Sequence, residues 1–427
     1  MVRGGRMERR SHDRAATTGQ PRRRGFMSRL LTLGTLGMTA MIVLAACGPS
    51  EDKPYSTTSP ASPTADDIQS LYKLVFWLSL IVFVGVQFAI VYTSLRFRRS
   101  RDTTERPPQI HGSKRLEIAW TIIPAIVLLI LLIPTITTLY DHDAAAQDGD
   151  IVVDVYGKQW WWEIEYGEDK AQGGQSLDVH TANEIWLPVG KKAQINLRSN
   201  NVIHSFWVPR LSGKLDVIPG HVNTLSITPE EVGTFYGECA EYCGAQHAWM
   251  RFTIHVVPED QFYAWVNNWR SAPPSSAKKG AENTPGVVKA PDAFSVCLAC
   301  HRVNGMEGSV TPKGINAPAN MGPDLTMLAC RETIAAGMLE NNPENLAKWL
   351  KDPGAVKPGN YMATQIGPGK VELTDEQITE LVDYLESMKP AGGCADAQGW
   401  AGGAATPVAS PVASPVASPM ATPETGS

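Results

Sequence analysis

The sequence predicts a multidomain membrane protein: a two-helix transmembrane hairpin, an all-β domain of Greek-key barrel or sandwich type, and a small all-α domain. Three observations predict it. Two uncharged apolar runs, residues 74–95 and 118–140, are each long enough to span a bilayer. Residues 150–258 break into short β-branched and aromatic segments separated by turns. Beyond a Pro/Ser/Lys/Gly stretch, residues 288–390 read as short helices following a Cys-x-x-Cys-His motif at Cys297, Cys300 and His301.

Residues 1–46 are expected to be a targeting signal, with a third, uncleaved helix as the alternative. Arg22, Arg23, Arg24 and Arg29 precede the apolar run 30–46. That run ends in Leu44-Ala45-Ala46-Cys47, which is similar to a bacterial lipoprotein cleavage site, so Cys47 is expected to carry a lipid. Residues 47–70, rich in Ser, Thr and Pro, are expected to form a flexible tether. The hairpin occupies 71–141. Its connecting loop holds Arg96, Arg98, Arg99, Arg101, Arg106, Lys114 and Arg115 against Asp102 and Glu105, while acids flank the outer ends. Positive charge marks the cytoplasmic side, so the rest of the chain faces outward. Pro124 and Pro134 are tolerable inside a membrane helix. Glu117 sits at the cytoplasmic mouth of the second run, where an acid is often functional.

The β domain is placed at 150–270, with strands expected at 151–156, 162–166, 184–188, 193–199, 204–208, 223–228, 233–236 and 249–257. A linker follows at 271–287. In the α domain, 288–390, helices are expected at 291–301, 343–351 and 374–388. Thr374 and Gln377 are spaced as a capping box, and Ile378, Leu381, Val382 and Leu385 form an apolar stripe. The tail 391–427 repeats Pro-Val-Ala-Ser and is expected to be disordered.

Two constellations carry chemistry. Cys239, Cys243, His247 and Met250 lie on one short loop, with His204 upstream. Two thiolates, two imidazoles and a thioether form a soft set suited to copper. A mononuclear blue-copper site needs one cysteine, so the second argues for two ions bridged by shared sulfurs. Each ion takes one imidazole. Met250 and the backbone carbonyl of Glu241 then serve as weak outer ligands. No position is left open for a substrate, so the site moves electrons.

The second constellation is a c-type haem attachment motif. Cys297 and Cys300 would bond the porphyrin, and His301 would ligate the iron. Met362, on a loop between two helices, is the expected distal ligand. Met306, Met321, Met327, Met338 and Met388 compete, with Met388 better suited to the core. Of the seven cysteines, Cys330 and Cys394 remain. An oxidising compartment permits them to pair; two free thiols are the alternative.

The copper loop, with the stretch from Val202 to Pro209, Leu215 to Gly220 and the run Tyr156 to Trp162, resembles the copper A domain of cytochrome c oxidase subunit II over residues 70–270. Residues 288–390 resemble a class I cytochrome c, and the whole resembles the caa3 type with a fused cytochrome. The resemblance implies a cupredoxin fold. It also makes Met362 the distal ligand and Trp160 the position where electrons enter. Glu117 would admit protons to a partner's channel, and the Glu241 carboxylate would face a magnesium or manganese ion at the catalytic subunit. It implies a non-catalytic redox subunit in a bacterial cell membrane. Its partners would be the haem-copper subunit I with other oxidase subunits, and an upstream cytochrome or quinol-cytochrome c reductase. Asn201 departs from the family, which usually has an acid there. His221 stands where arginine is common.

The other readings are a copper A subunit of a nitric oxide reductase and a non-enzymatic copper-binding lipoprotein. The net charge of −5 says little about partners. The basic runs are accounted for by targeting and topology, so no nucleic-acid partner is expected.

Overall fold

The computed structural model describes residues 37–38, 55–98, 112–142, 151–169, 175–271, 288–303, 322–389 and 394. Helix α1 (Pro63–Arg96) and helix α2 (Lys114–His142) are the two described helices long and apolar enough to cross a membrane. Their apolar side chains stand exposed, as a lipid-facing surface requires. Pro124 and Pro134 lie inside α2.

At about 1.5 Å per residue, α1 outruns a hydrocarbon core of roughly 30 Å. Its first turns belong to the β domain instead. Ser62 caps α1 by accepting the Ala65 N–H at 3.1 Å, and its own hydroxyl donates to the Leu211 carbonyl at 2.6 Å. Ala61 N–H donates to the Arg210 carbonyl, and Glu230 N–H to the Ala61 carbonyl. Residues 55–70 are therefore bonded and partly helical, which corrects the flexible tether expected there. The apolar run marks only the part of a helix that needs lipid, so it understates helix length.

The β domain is a pair of five-stranded sheets. One runs in the order β3 (Gln175–Ala182), β2 (Trp161–Asp169), β1 (Ile151–Lys158), β5 (Ala193–Ser199), β8 (Asn223–Ile227). The other runs β4 (Glu184–Pro188), β10 (Arg251–Val257), β9 (Gly233–Cys239), β6 (His204–Trp207), β7 (Leu215–Val217). Strand β1 alternates buried and half-buried residues, the pattern of one face turned to a core. Trp162, Ile195, Phe206 and Phe252 meet in that core. Strands β3 and β7 both lie at sheet edges and were not expected; β3 is largely polar and β7 is only three residues long. Helix α3 (Glu259–Ser271) was not expected either. Yet Phe262, Trp265, Val266 and Trp269 are buried at helical spacing, a signal the sequence does contain.

In the α domain the segment expected as a helix at 291–301 is a 3-10 helix, Asp292–Ala299. A two-stranded ribbon, β11 (Thr333–Ile334) with β12 (Leu339–Glu340), precedes α4 (Pro343–Lys351), α5 (Pro353–Val356) and α6 (Asp375–Glu386). Thr374 caps α6 in a complete capping box with Gln377. Phe294, Leu346, Leu381 and Tyr384 form the core. Cys330 and Cys394 form a disulfide.

The two globular domains share a contact surface. Met327 packs into the β-domain core, and Ala336 packs on Trp161 and Ala182. Arg251 N–H donates to the Ala336 carbonyl at 3.2 Å. Glu184 of β4, 2% exposed, accepts the backbone N–H groups of Glu332 and Thr333 at 2.9 and 3.1 Å.

Candidate metal centres

The candidate copper ligands come from two adjacent strand ends. Phe206 of β6 pairs with Cys239 of β9, which brings His204 alongside the loop leaving β9. That loop returns through Arg251 into β10. His204, Cys239 and Cys243 are buried, with ligand atoms within 4.8 Å of one another. The Cys239 and Cys243 sulfurs lie 3.7 Å apart. That is far beyond a disulfide bond, but less than twice a metal–thiolate bond of about 2.3 Å, so one ion can touch both. His204 Nδ1 faces the Cys239 sulfur at 3.9 Å, and His247 Nδ1 faces the Cys243 sulfur at 3.8 Å. Met250 Sδ is 3.8 Å from Cys243, and the Glu241 carbonyl is 3.2 Å from Cys239. Each sulfur thus has one imidazole and one weak donor beside it, and the donor set fits the soft pair of ions expected of it. The Glu241 carboxylate is exposed and accepts the Tyr242 N–H.

The thiols share a proton: a hydrogen bond from Cys243 holds Cys239 well below the usual thiol range, while the same contact raises Cys243. Cys239 is thus favoured as the thiolate, the form that ligates a metal, while Cys243 holds its proton more tightly. Behind the ligands stand Trp162, Phe206 and Phe252, whose ring centroids lie 4.6–5.8 Å apart. Trp162 also meets the His204 ring at 5.9 Å. Gly157 lies against that imidazole, where a Cβ would be 2.7 Å from Cδ2.

Cys297, Cys300, His301 and Met362 line one largely apolar cavity in the α domain. His301 Nδ1 donates to the Pro323 carbonyl at 2.8 Å, leaving Nε2 free for a metal. Gly322 lets the chain pass the imidazole: a Cβ there would lie 2.5 Å from the ring. The lining fits a haem attached through the two cysteines. Among the competing methionines, Met388 is core of the α domain and Met327 is core of the β domain. Met338 is absent from the cavity lining, and Met306 and Met321 lie outside the described residues.

The cavity reaches the copper loop. Trp160 and Gln159 of the β domain line it. Trp160 Nε1–H and Gln159 Nε2–H both donate to the Cys243 carbonyl, at 2.9 and 2.8 Å. On its other side Trp160 stacks on Tyr361, with centroids 5.0 Å apart and planes 19° from parallel. Gln246 Nε2–H donates to the Pro358 carbonyl. The sequence reading missed Tyr361, Gln159 and Gln246; only the position of Tyr361 beside Met362 hinted at a role.

Glu117 lies in the first turn of α2. Asn201 Oδ1 is 3.2 Å from His204 Nε2. Cys47 lies outside the described residues.

Three stretches match known families. Residues 151–257 match the periplasmic domain of cytochrome c oxidase subunit II, 55–138 its transmembrane domain, and 287–389 cytochrome c. The chain is 37% identical to cytochrome c oxidase subunit 2 of Bacillus sp. (strain PS3), over 83% of this chain and 96% of that protein. It is 34% identical to the Bacillus subtilis protein of the same name, over 82% of this chain and 95% of that one. A crystal structure of the periplasmic domain of subunit II of cytochrome oxidase from Bradyrhizobium japonicum aligns at 29% identity and TM-score 0.26, over 30% of this chain and 97% of that chain.

Proposed function

Because the chain belongs to the cytochrome c oxidase subunit II family and carries a fused cytochrome c domain, it is an electron-transfer subunit of a cytochrome c oxidase complex, and we propose the residues through which it works. Cys239, Cys243, His204 and His247 would hold the copper, with Met250 and the Glu241 carbonyl as weaker donors. Cys297 and Cys300 would hold a haem covalently, and His301 and Met362 would ligate it. The haem and copper, when bound, supply one-electron redox chemistry. This chain's residues hold them, exclude water and bring the two sites together. Fusion raises the effective concentration of donor near acceptor.

The observation that carries this reading is the Tyr361–Trp160 stack, which ends on the Cys243 carbonyl. One aromatic pair joins the loop that holds Met362 to the loop that holds a copper ligand. Trp160 therefore receives electrons from within the chain. An external donor, a cytochrome or a quinol-cytochrome c reductase, delivers to the haem domain instead. Electrons leave for the haem of a partner subunit I, which reduces oxygen to water and pumps protons. The Glu241 carboxylate is placed for a magnesium or manganese ion at that interface, and Glu117 for proton admission. The hairpin's arginine-rich loop faces the cytoplasm of a bacterial cell, and Cys47 carries a lipid. The family favours this oxidase reading over a nitric oxide reductase subunit or a copper carrier.

The test uses the complete oxidase purified through this subunit. Trp160→Leu should leave copper and haem content unchanged, because Gln159 still holds the Cys243 carbonyl. It should slow copper reduction by the haem at least about tenfold in rapid-mixing spectroscopy. An unchanged rate would move the route elsewhere. Nitric oxide consumption without oxygen consumption by the parent complex would overturn the oxidase reading itself.

A further inference from the structure

The loop that carries Cys243, His247 and Met250 has at its centre a buried glutamine that serves neither redox site directly. Gln246 is 0% exposed. Its Nε2–H donates to the carbonyl of Pro358, 112 positions away in the α domain. Its main chain starts the 3-10 turn His247–Trp249, and its own carbonyl accepts the Trp249 N–H at 2.9 Å. The Met250 N–H closes the same turn on the His247 carbonyl at 3.3 Å. Gln246 therefore links the turn that presents His247 and Met250 to a carbonyl of the other domain.

The receiving loop is braced from within. Asn360 is 8% exposed, and its Nδ2 donates to the Pro353 and Lys357 carbonyls while its Oδ1 accepts the Ala363 N–H at 2.9 Å. Pro358 and Met362 are thus parts of one rigid turn. Gly359, at φ +85°, lets this turn lie against the copper loop: a Cβ there would be 3.4 Å from Gln246 Nε2 and 3.5 Å from the Ala245 Cβ. The copper loop owes its shape to its donors instead. Sulfur contacts of 3.7–3.9 Å among His204, Cys239, Cys243 and His247 are weak by themselves. Bound metal ties Cys243 and His247 together, and Gln246 lies between them in the chain. Fixing both neighbours orders Gln246, and a donor already ordered loses less entropy on reaching its acceptor.

We propose that Gln246 is a positioning residue that couples the two redox sites: copper loading strengthens docking of the loop that carries Met362, and docking strengthens copper binding in return. Linkage makes the two effects equal in size. This rests on the copper and haem reading of the two sites and goes beyond it. The donor domain is then held firmly against a copper loop that is loaded and able to accept its electron.

The test uses the full-length chain with its haem, purified in detergent, without copper and after titration with copper. Hydrogen exchange at the amides of Gly359, Asn360 and Tyr361 is followed by mass spectrometry. Copper affinity is measured by competition with a chelator. In the parent, copper should raise the protection of these amides at least about fivefold, the lower end of coupling between sites. Gln246→Met keeps the length of the side chain but has no N–H to donate. It should bring the copper effect on protection close to unity and lower copper affinity, with the copper-thiolate absorption of the loaded form unchanged. A bond that only glues the domains would lower protection equally with and without copper. That result, or a parent whose protection ignores copper, would overturn the proposal. If Gln246→Met does not accumulate, Gly359→Ala tests the same contact from the other loop, and an undiminished copper effect there would overturn it as well. A parent chain that develops no copper-thiolate absorption would instead overturn the copper reading beneath it, and one without covalent haem the haem reading.

Discussion

Gly157 shows how a residue with no chemistry of its own can control a metal site. It sits in β1 with the His204 imidazole against its α-carbon, where a Cβ would lie 2.7 Å from Cδ2. Trp162 crowds the same ring, at 5.9 Å between centroids. Gly157→Ala should push the imidazole off its line to Cys239 and weaken copper binding roughly 10- to 100-fold, as loss of outer-shell support does. Metal analysis of the purified complex and its copper-thiolate absorption would check this. Full copper at parent affinity would show that the imidazole has slack. Cys239 and Cys243 illustrate the complementary case, in which the residue types alone announce the chemistry. Two thiols, an imidazole and a thioether on one short loop, with a second imidazole upstream, have few other uses. The loop donors were legible because their identities and spacing sit within one stretch of chain. The support was not, because a glycine carries no signal of what packs against it.

Secondary elements decide how firmly each loop is held. Helix α6 closes the haem domain through Ile378, Leu381, Tyr384 and Leu385, with Phe294 meeting Tyr384 at 4.7 Å. Its start is fixed by Thr374, which accepts the Gln377 N–H at 3.2 Å while Gln377 Oε1 accepts the Thr374 N–H at 3.0 Å. Thr374→Ala removes one half of that box. It should cost about 1 kcal/mol, seen as a lower denaturation midpoint of the haem domain with unchanged copper spectra. No loss of stability would mean that tertiary packing alone sets the helix start. This box and the apolar stripe of α6 were both readable, since both repeat at helical spacing. Strand β7 was not. It pairs along His204–Phe206 from only three residues, Leu215–Val217, too short for a period to show.

At the scale of the whole molecule, the junction between the globular domains contains an ionisable latch. Burial first, and the Glu332 carboxylate second, raise Glu184 from its ordinary 4.5 to about 8. Arg331 and the two backbone N–H groups offset this only in part. His255, also buried there and 3.9 Å from Glu332, is pushed down by burial. An acid whose value is raised on docking holds its proton more tightly when docked. Its support for docking is full below about pH 4.5, falls as pH rises, and is exhausted above about pH 8. His255 acts only toward acid pH and in the opposite sense. Exchange protection of the Glu332 and Thr333 amides, corrected for intrinsic rates, should therefore decline across this range in the parent. Glu184→Gln should flatten the decline. Equal slopes in the two proteins would remove Glu184 as the cause.

The sequence by itself determined the order of membrane, β and α domains, the two membrane helices, the cysteine-rich loop with its Cys-x-x-Cys-His counterpart, and the caps and stripes of the helices. Each of these is encoded by residues close together in the chain, where spacing and chemistry are enough. The tertiary structure alone decided which surfaces meet. Gln159 and Tyr361 are 202 positions apart, and Glu184 and Glu332 are 148 apart, yet both pairs sit at the junction that joins the two redox sites. Such contacts carry no local period. They exist because Met327 and Ala336 bury apolar surface against the β domain, and the polar partners are then fixed by the fit of the two surfaces.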